Sequence, residues 1–236
     1  MWAILAACAV VSAAEKLPKA DHTPAAATAH QKAVIAEGIA LHDRGDYPGA
    51  IAKYKEVLNE SPDEVGAMHE LAYSYFTNKE YASALATARR GILYRSALLP
   101  RFYAMLGNSL DELDRRDEAI EVYKAAIKQS PSTALLHFNL GLSLMRSGKY
   151  AEAKQAMEKS ASVDPSHASS HFLLASLYNQ LGYRVPAILA LSCFLLIEPD
   201  SARAREALPT VTELVGGRVT KGDKPNQINI IFGARF

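Results

Sequence analysis

An all-α chain of stacked helix pairs is expected from three series of residues that share one spacing. Ala50, Ala84, Ala119, Ala153 and Ala187 follow one another at 34, 35, 34 and 34 residues. Pro131, Pro165 and Pro199 are 34 apart, and Pro62 lies 69 before Pro131, one interval of 34 plus one of 35. Gly38, Ala72, Gly107, Gly141 and Ala175 keep the same step with small residues. Three series in one register mark an internal repeat, and a period of this length belongs to a solenoid or array rather than to a single globular core.

Residues 2–14, WAILAACAVVSAA, are apolar and too few to span a bilayer as a helix, but they suit the core of an export signal. Val11-Ser12-Ala13 and Ser12-Ala13-Ala14 both fit a signal-peptidase site, although no basic residue precedes the apolar run. Leu5-Ala6-Ala7-Cys8 also resembles a bacterial lipobox, against which the apolar run continues for six residues beyond Cys8. An exported, periplasmic or envelope-associated location follows from either reading, and a cytoplasmic one if the segment is not a signal. Residues 15–30 carry two prolines and many alanines and read as a linker.

Each unit of the repeat is expected to be two antiparallel helices joined by a short turn, such as Arg44-Gly45-Asp46 or Ser147-Gly148-Lys149. Glycine there supplies the positive backbone angle that ends a helix. A small residue on the first helix and an alanine on the second let the two backbones approach. Proline near each unit's end stops the second helix, since it lacks an amide hydrogen and clashes with the preceding turn. One pair cannot bury its apolar face alone, so neighbouring pairs stack.

The stretch from Arg101 to Pro131 holds Tyr103, Leu106-Gly107, Ala119, Tyr123, Ala126 and Pro131. The next unit holds Leu140-Gly141, Gly148, Tyr150, Ala153 and Pro165, and the first holds Gly38, Gly45, Tyr47, Ala50, Tyr54 and Pro62. In these positions the sequence resembles the tetratricopeptide-repeat (TPR) family, in a bacterial-type form. The resemblance implies a right-handed α-α superhelix, a TPR solenoid of five units over 31–64, 65–98, 100–133, 134–167 and 168–201.

Departures from the pattern carry information. Glu37 occupies a usually apolar position, tolerable in a first unit with no upstream neighbour. The second unit has Gly91 for the expected alanine and Ser96 for the expected proline, and Leu99 is inserted after it. Its second helix is expected to run on towards Pro100, leaving a local irregularity before the third unit. Residues 202–217 read as the solvating cap helix that a terminal repeat requires, with Pro209 predicting a kink or break inside it. In the tail, 218–236, the apolar segment Ile228 to Phe236 has no place in the repeat; it reads as a strand-like peptide that docks elsewhere, in the chain's own groove for instance, or as the start of further structure.

Composition excludes several classes of function. Hydrophobic residues make up 49% of the chain, enough for a substantial core. Charge is balanced, 26 basic against 25 acidic residues, and no basic stripe of the kind that drives phosphate binding occurs, so nucleic acid is not an expected partner. Two cysteines, Cys8 and Cys193, make no disulfide framework; Cys193, in the apolar run Leu189 to Ile197, reads as a buried free thiol. The sequence has no HExxH, no phosphate-cradling glycine loop and no CxxC pair. His137 and His171 stand 34 apart and would make half a metal site, but with no third ligand they read as packing residues. No metal, no cofactor and no catalytic residue is assigned, and an enzyme is not expected.

The resemblance places the binding surface on the first helix of each unit. Positions five, nine and twelve of a unit are four and three apart and share one helix face. Ten of the residues there form the candidate peptide-binding groove: Ile35, Ile39, Tyr73, Phe76, Asn108, Phe138, Leu142, Met145, Phe172 and Asn179. Apolar residues dominate these positions, and exposed apolar patches mark interaction sites; Phe138 and Phe172 alternatively fill space between adjacent helices. Some family members grip a carboxy-terminal carboxylate. Asn108 and Asn139 match two places of that clamp, but Ala104, Ser169 and Leu173 stand where its basic partners belong. The expected function is therefore a non-catalytic scaffold that binds an apolar or amphipathic segment of another protein. A membrane enters only if Cys8 is lipidated. Two alternatives are an outer-membrane or pilus assembly lipoprotein, and the TPR portion of a larger enzyme.

Overall fold

The computed structural model describes residues 17–24, 26–221 and 228–232. The expected export signal and Cys8 lie outside the described residues. The chain divides into two compact units, one ending at Pro131 and one beginning at Ser132.

The first unit holds three helix pairs: α1 (Ala29–Asp43) with α2 (Tyr47–Glu60), α3 (Val65–Thr77) with α4 (Tyr81–Gly91), and α5 (Leu99–Glu112) with α6 (Arg116–Gln129). Each helix packs against the next, and the first helices also touch in turn, α1 on α3 and α3 on α5. Side chains fix several starts. Thr28 and Gln31 form a reciprocal capping box on α1, with Gln31 N donating to Thr28 Oγ1 (3.2 Å) and Thr28 N to Gln31 Oε1 (3.0 Å). Asp46 caps α2 through Gly49 N (3.0 Å), and the buried Glu64 carboxylate accepts from Gly66 N and Ala67 N to cap α3.

The small-residue series has a direct steric cause. A Cβ on Gly38 would meet Cε1 of Tyr54 at 2.5 Å, and one on Gly107 would collide with the Tyr123 ring. Both tyrosines are fully buried, each lying sixteen positions after its glycine. Where the first helix carries Ala72 instead, the residue sixteen positions on is Ala88. All five alanines of the first series have no exposed surface.

The irregularity between the second and third pairs takes a different form from the expected one. α4 does not run on towards Pro100; it stops at Gly91, and Pro100 sits in the first turn of α5. Gly91 is where the Phe102 ring packs, leaving no room for a side chain. The segment after it is held by the expected linker. Asp21 N and His22 N both donate to Leu93 O (3.0 Å each), and Arg95 N donates to His22 O (2.9 Å). His22 and Tyr94 form a parallel bridge, so part of the linker is structural.

The second unit holds α7 (Ala134–Arg146) with α8 (Tyr150–Val163), α9 (Ala168–Gln180) with α10 (Arg184–Ile197), then α11 (Ala202–Leu214) against α10. Ser160 and Ser170, both buried, share a hydrogen bond of 2.8 Å between α8 and α9. The Tyr178 hydroxyl donates to Glu158 (2.7 Å) across the same seam. Ser201 caps α11 through Ala204 N (3.0 Å). The predicted break at Pro209 does not occur: α11 continues through it to Leu214, with Pro209 on the exposed face where water can serve the carbonyl left without its amide.

After Gly216, at φ +83°, comes an antiparallel hairpin of β1 (Gly217–Lys221) and β2 (Ile228–Phe232), paired in register from Gly217↔Phe232 to Lys221↔Ile228. The apolar tail segment is thus strand-like, as expected, but it pairs with β1 beside α11 rather than lying in a groove of first helices. The fold is an all-α helical repeat with this hairpin appended.

Candidate functional site

The ten predicted groove residues fall five in each unit. In the first unit Ile39 and Tyr73 are exposed, at 39% and 45%, and Ile35, Phe76 and Asn108 are half-buried. Tyr73 stacks on His42 with ring centroids 4.8 Å apart, and Tyr47 makes a T-shaped contact with the same histidine at 5.1 Å. His42 Nδ1 is 2.7 Å from the Ser74 hydroxyl, which ties α1 to α3. Phe76 packs on Tyr81 at 5.3 Å. Asn108 serves the fold: its Oδ1 accepts from the Tyr123 hydroxyl at 2.7 Å.

In the second unit Phe138, Leu142, Met145 and Phe172 are half-buried and Asn179 is exposed. Phe138 lies edge-on to His167 at 4.8 Å. Phe172 and Asn179, with Ala175 and Ser176, form one wall of a cavity of about 190 Å³; Leu191 of α10 and Glu206, Ala207, Thr210 and Leu214 of α11 complete it. Of its lining residues Ala175, Leu191 and Ala207 are buried, whereas Ser176, Asn179 and Glu206 are exposed and, with Thr210, supply hydroxyl, amide and carboxylate groups. The volume is below the roughly 300–1,000 Å³ of small-molecule sites.

Arg203 holds the wall of this cavity together. Its guanidinium lies 5.8 Å from the Phe172 ring and 5.4 Å from that of Phe194, donates from Nη1 to Ser169 Oγ (3.0 Å), and donates from Nη2 to both oxygens of Glu198 (2.7 and 2.8 Å). Phe172 and Phe194 are themselves in contact, centroids 5.0 Å apart. Phe172 is therefore both a packing residue and a cavity residue.

Counting within the five repeats misses the contribution of α11. The signal is present in the sequence: a sixth unit beginning at residue 202 puts Glu206 and Thr210 at positions five and nine, the places that Phe172 and Ser176 hold in the fifth. The helix read as a solvating cap is also a cavity wall.

Other sequence readings resolve as follows. Cys193 is exposed, not buried, because it lies on the outer face of α10 rather than against α9 or α11. His137 is buried, and His171 Nε2 is 2.9 Å from the Pro165 carbonyl. Among the described residues no group of three or more metal-ligating side chains comes together. No helix among them is long and apolar enough to cross a membrane.

These features define a helical-repeat protein whose last two first-position helices enclose a small apolar cavity. The chain belongs to the tetratricopeptide-repeat family: two models of that description match it, one over residues 41–108 and the other over 104–159 and 138–182, together more than half of the chain. It is similar to BBSome complex member bbs-4 of Caenorhabditis elegans, 24% identical over 174 residues that cover 74% of this chain and 37% of that protein. The chain thus spans little more than a third of that relative. Among solved structures it is similar in fold to PilF of Pseudomonas aeruginosa, at 24% identity and a TM-score of 0.66, covering 78% of this chain and 83% of that one. It is also similar in fold to PilW, a widely conserved type IV pilus biogenesis factor, at 16% identity and a TM-score of 0.66, covering 80% and 88%. Repeat proteins of this family are in general non-catalytic scaffolds for protein–protein interaction.

Proposed function

We propose that this chain is a non-catalytic scaffold that binds an apolar or amphipathic peptide segment of another protein, and that the cavity between α9 and α11 holds one of that segment's apolar side chains. The observation that carries this reading is the coincidence of two derivations. The family resemblance assigns Phe172 and Asn179 to a groove, and the same two residues line a cavity whose lining is mostly apolar. Such a site orders a peptide by burying an anchor side chain, while Asn179 and Ser176 bond its backbone. Glu206 favours a basic residue next to the anchor.

Panning a random peptide display library against the full chain tests the proposal. Peptides enriched by the wild type should share an apolar residue beside a basic one, and should be lost on a Ser176→Trp/Thr210→Trp variant that fills the cavity mouth. Circular dichroism would verify that this variant is folded. Enriched peptides that bind the filled variant equally well would move the binding surface elsewhere.

The segment 2–14 motivates the further proposal that the protein is exported, by a bacterial-type signal or by lipidation at Cys8. Mass spectrometry of the mature amino terminus in a bacterial host decides it: cleavage after Ala13 or Ala14, a lipid on Cys8, or an intact start are the three outcomes, and the last refutes export.

A further inference from the structure

The outer face of α10 is unlike that of every other second helix in the chain. Val185, Leu189 and Leu196 are 65%, 61% and 83% exposed, and Cys193 is exposed between them. These residues are four, four and three apart and make one stripe along the helix. The same repeat positions hold Ala151, Gln155, Lys159 and Ser162 in α8, and Asp117, Glu121, Ala125 and Lys128 in α6. Earlier in the chain they hold Ala82, Ala86, Arg90 and Leu93, then Pro48, Ala52, Glu56 and Asn59. A solvent-facing face therefore becomes wholly apolar in the fifth repeat alone. A helix that is apolar all round is one that is covered on all sides.

The charges at the two ends of the stripe say what covers it. Arg184 stands at its amino end, exposed, with Nε donating to Leu214 O. The exposed Asp200 stands at its carboxyl end, beside Glu198, whose carboxylate is held by Arg203. A basic amino end and an acidic carboxyl end on one helix are self-complementary when two copies run antiparallel, and opposed helix dipoles add to the attraction. The same acidic end disfavours an anionic membrane surface.

We propose that α10 pairs antiparallel with α10 of a second copy of this chain, about a twofold axis at the level of Ala190 and Leu191. Val185 of one copy then packs on Leu196 of the other, and Leu189 lies beside the Ser192–Cys193 level. Arg184 reaches the carboxyl end of the partner helix. One helix face buries less than the roughly 1,600 Å² of a standard interface, so the dimer belongs with weak, reversible associations.

Sedimentation equilibrium of the full chain over a concentration series is the test. The wild type should pass from monomer to dimer. Leu189→Glu/Leu196→Glu, at two exposed positions, should weaken the dimer by roughly a hundredfold or more, because each substitution counts twice in a symmetric contact. Arg184→Glu and Asp200→Arg should each weaken it alone. An equimolar mixture of these two variants should regain it, since an acidic position 184 on one copy then faces a basic position 200 on the other. That rescue separates pairing from a loss of folding. A chain that stays monomeric at all concentrations, or a dimer that the double glutamate variant retains, overturns the proposal. So does a monomer that floats with phospholipid vesicles, which would give the stripe to a bilayer surface.

Discussion

Gly107 and Tyr123 are a matched pair: the buried tyrosine ring occupies the space where a side chain on Gly107 would be. Gly107→Ala should destabilise the protein by about 1–3 kcal/mol, the usual cost of overpacking. The double variant Gly107→Ala/Tyr123→Leu copies the pair Ala175 and Leu191 found in the fifth repeat. It should lose less than the sum of its two single variants. Urea denaturation of all four proteins measures this coupling; strict additivity would mean that the cost of Gly107→Ala does not come from the Tyr123 ring.

Five turns join the two helices of a pair, and the residue at positive φ is Gly45, Lys79, Asp114, Gly148 and Gly182 in order. Lys79 at φ 63° and Asp114 at φ 61° carry a side chain where glycine is at ease. Left-handed geometry costs a residue with a Cβ about 1–2 kcal/mol, partly offset by the extra freedom that glycine has when unfolded. Lys79→Gly should therefore stabilise by roughly 0.5–1 kcal/mol, and Asp114→Gly by less, since aspartate tolerates this conformation better. Thermal denaturation would register a rise of a few degrees for the first.

Alkaline pH should destabilise the fold through two tyrosines. Burial pushes the Tyr54 hydroxyl up to about 12. Burial and, after it, the hydrogen bond to Glu158 push Tyr178 up to about 12. A tyrosine raised in the folded state contributes stability that is complete below its unfolded value near 10. That contribution is lost as pH rises from there through 12. Denaturant midpoints at pH 9 and pH 11.5 should differ, and Tyr54→Phe or Tyr178→Phe should narrow the difference. Absorbance at 295 nm should show the corresponding ionisations lagging behind those of exposed tyrosines.

Cys193, being exposed, should react with a thiol reagent in the folded state without denaturant. In a Cys8→Ser background at dilute concentration, quantitative labelling without loss of helical circular dichroism is expected. Protection at such dilution would mean that the thiol faces inward.

The periodic features of the fold were legible because they obey local rules. Glycine at a helix end and a small residue opposite a ring leave the same mark every 34 residues, so Gly45, Gly148, Gly38, Gly107 and Gly141 could be assigned from the sequence. Lys79 and Asp114 hide the same turn under residues with no preference for it; only their register with Gly45 and Gly148 discloses it. Features that depend on what lies next to the repeat were not legible. Cys193 sits in an apolar run, and apolarity alone cannot tell an inner helix face from an outer one. Phe172 and Asn179 are legible only as groove positions on one helix, and the second wall of the cavity they line belongs to α11, outside the five counted units. Pro209 falls in the same gap. It stands at the small-residue position of a sixth unit, yet unlike Gly107 it is exposed, so its ring has room at the surface.

The pairing of small residue and ring also sets the unit in which such an array can be rebuilt. Gly38 goes with Tyr54, Ala72 with Ala88, Gly107 with Tyr123, Gly141 with Met157 and Ala175 with Leu191. A crossover between α3 and α6 would join Ala72 to Tyr123 and drive a methyl group into a ring, whereas exchange of whole helix pairs keeps every match. Tandem duplication can copy this protein only in whole pairs, and chimaeras cut inside a pair should express poorly unless both partners are replaced together.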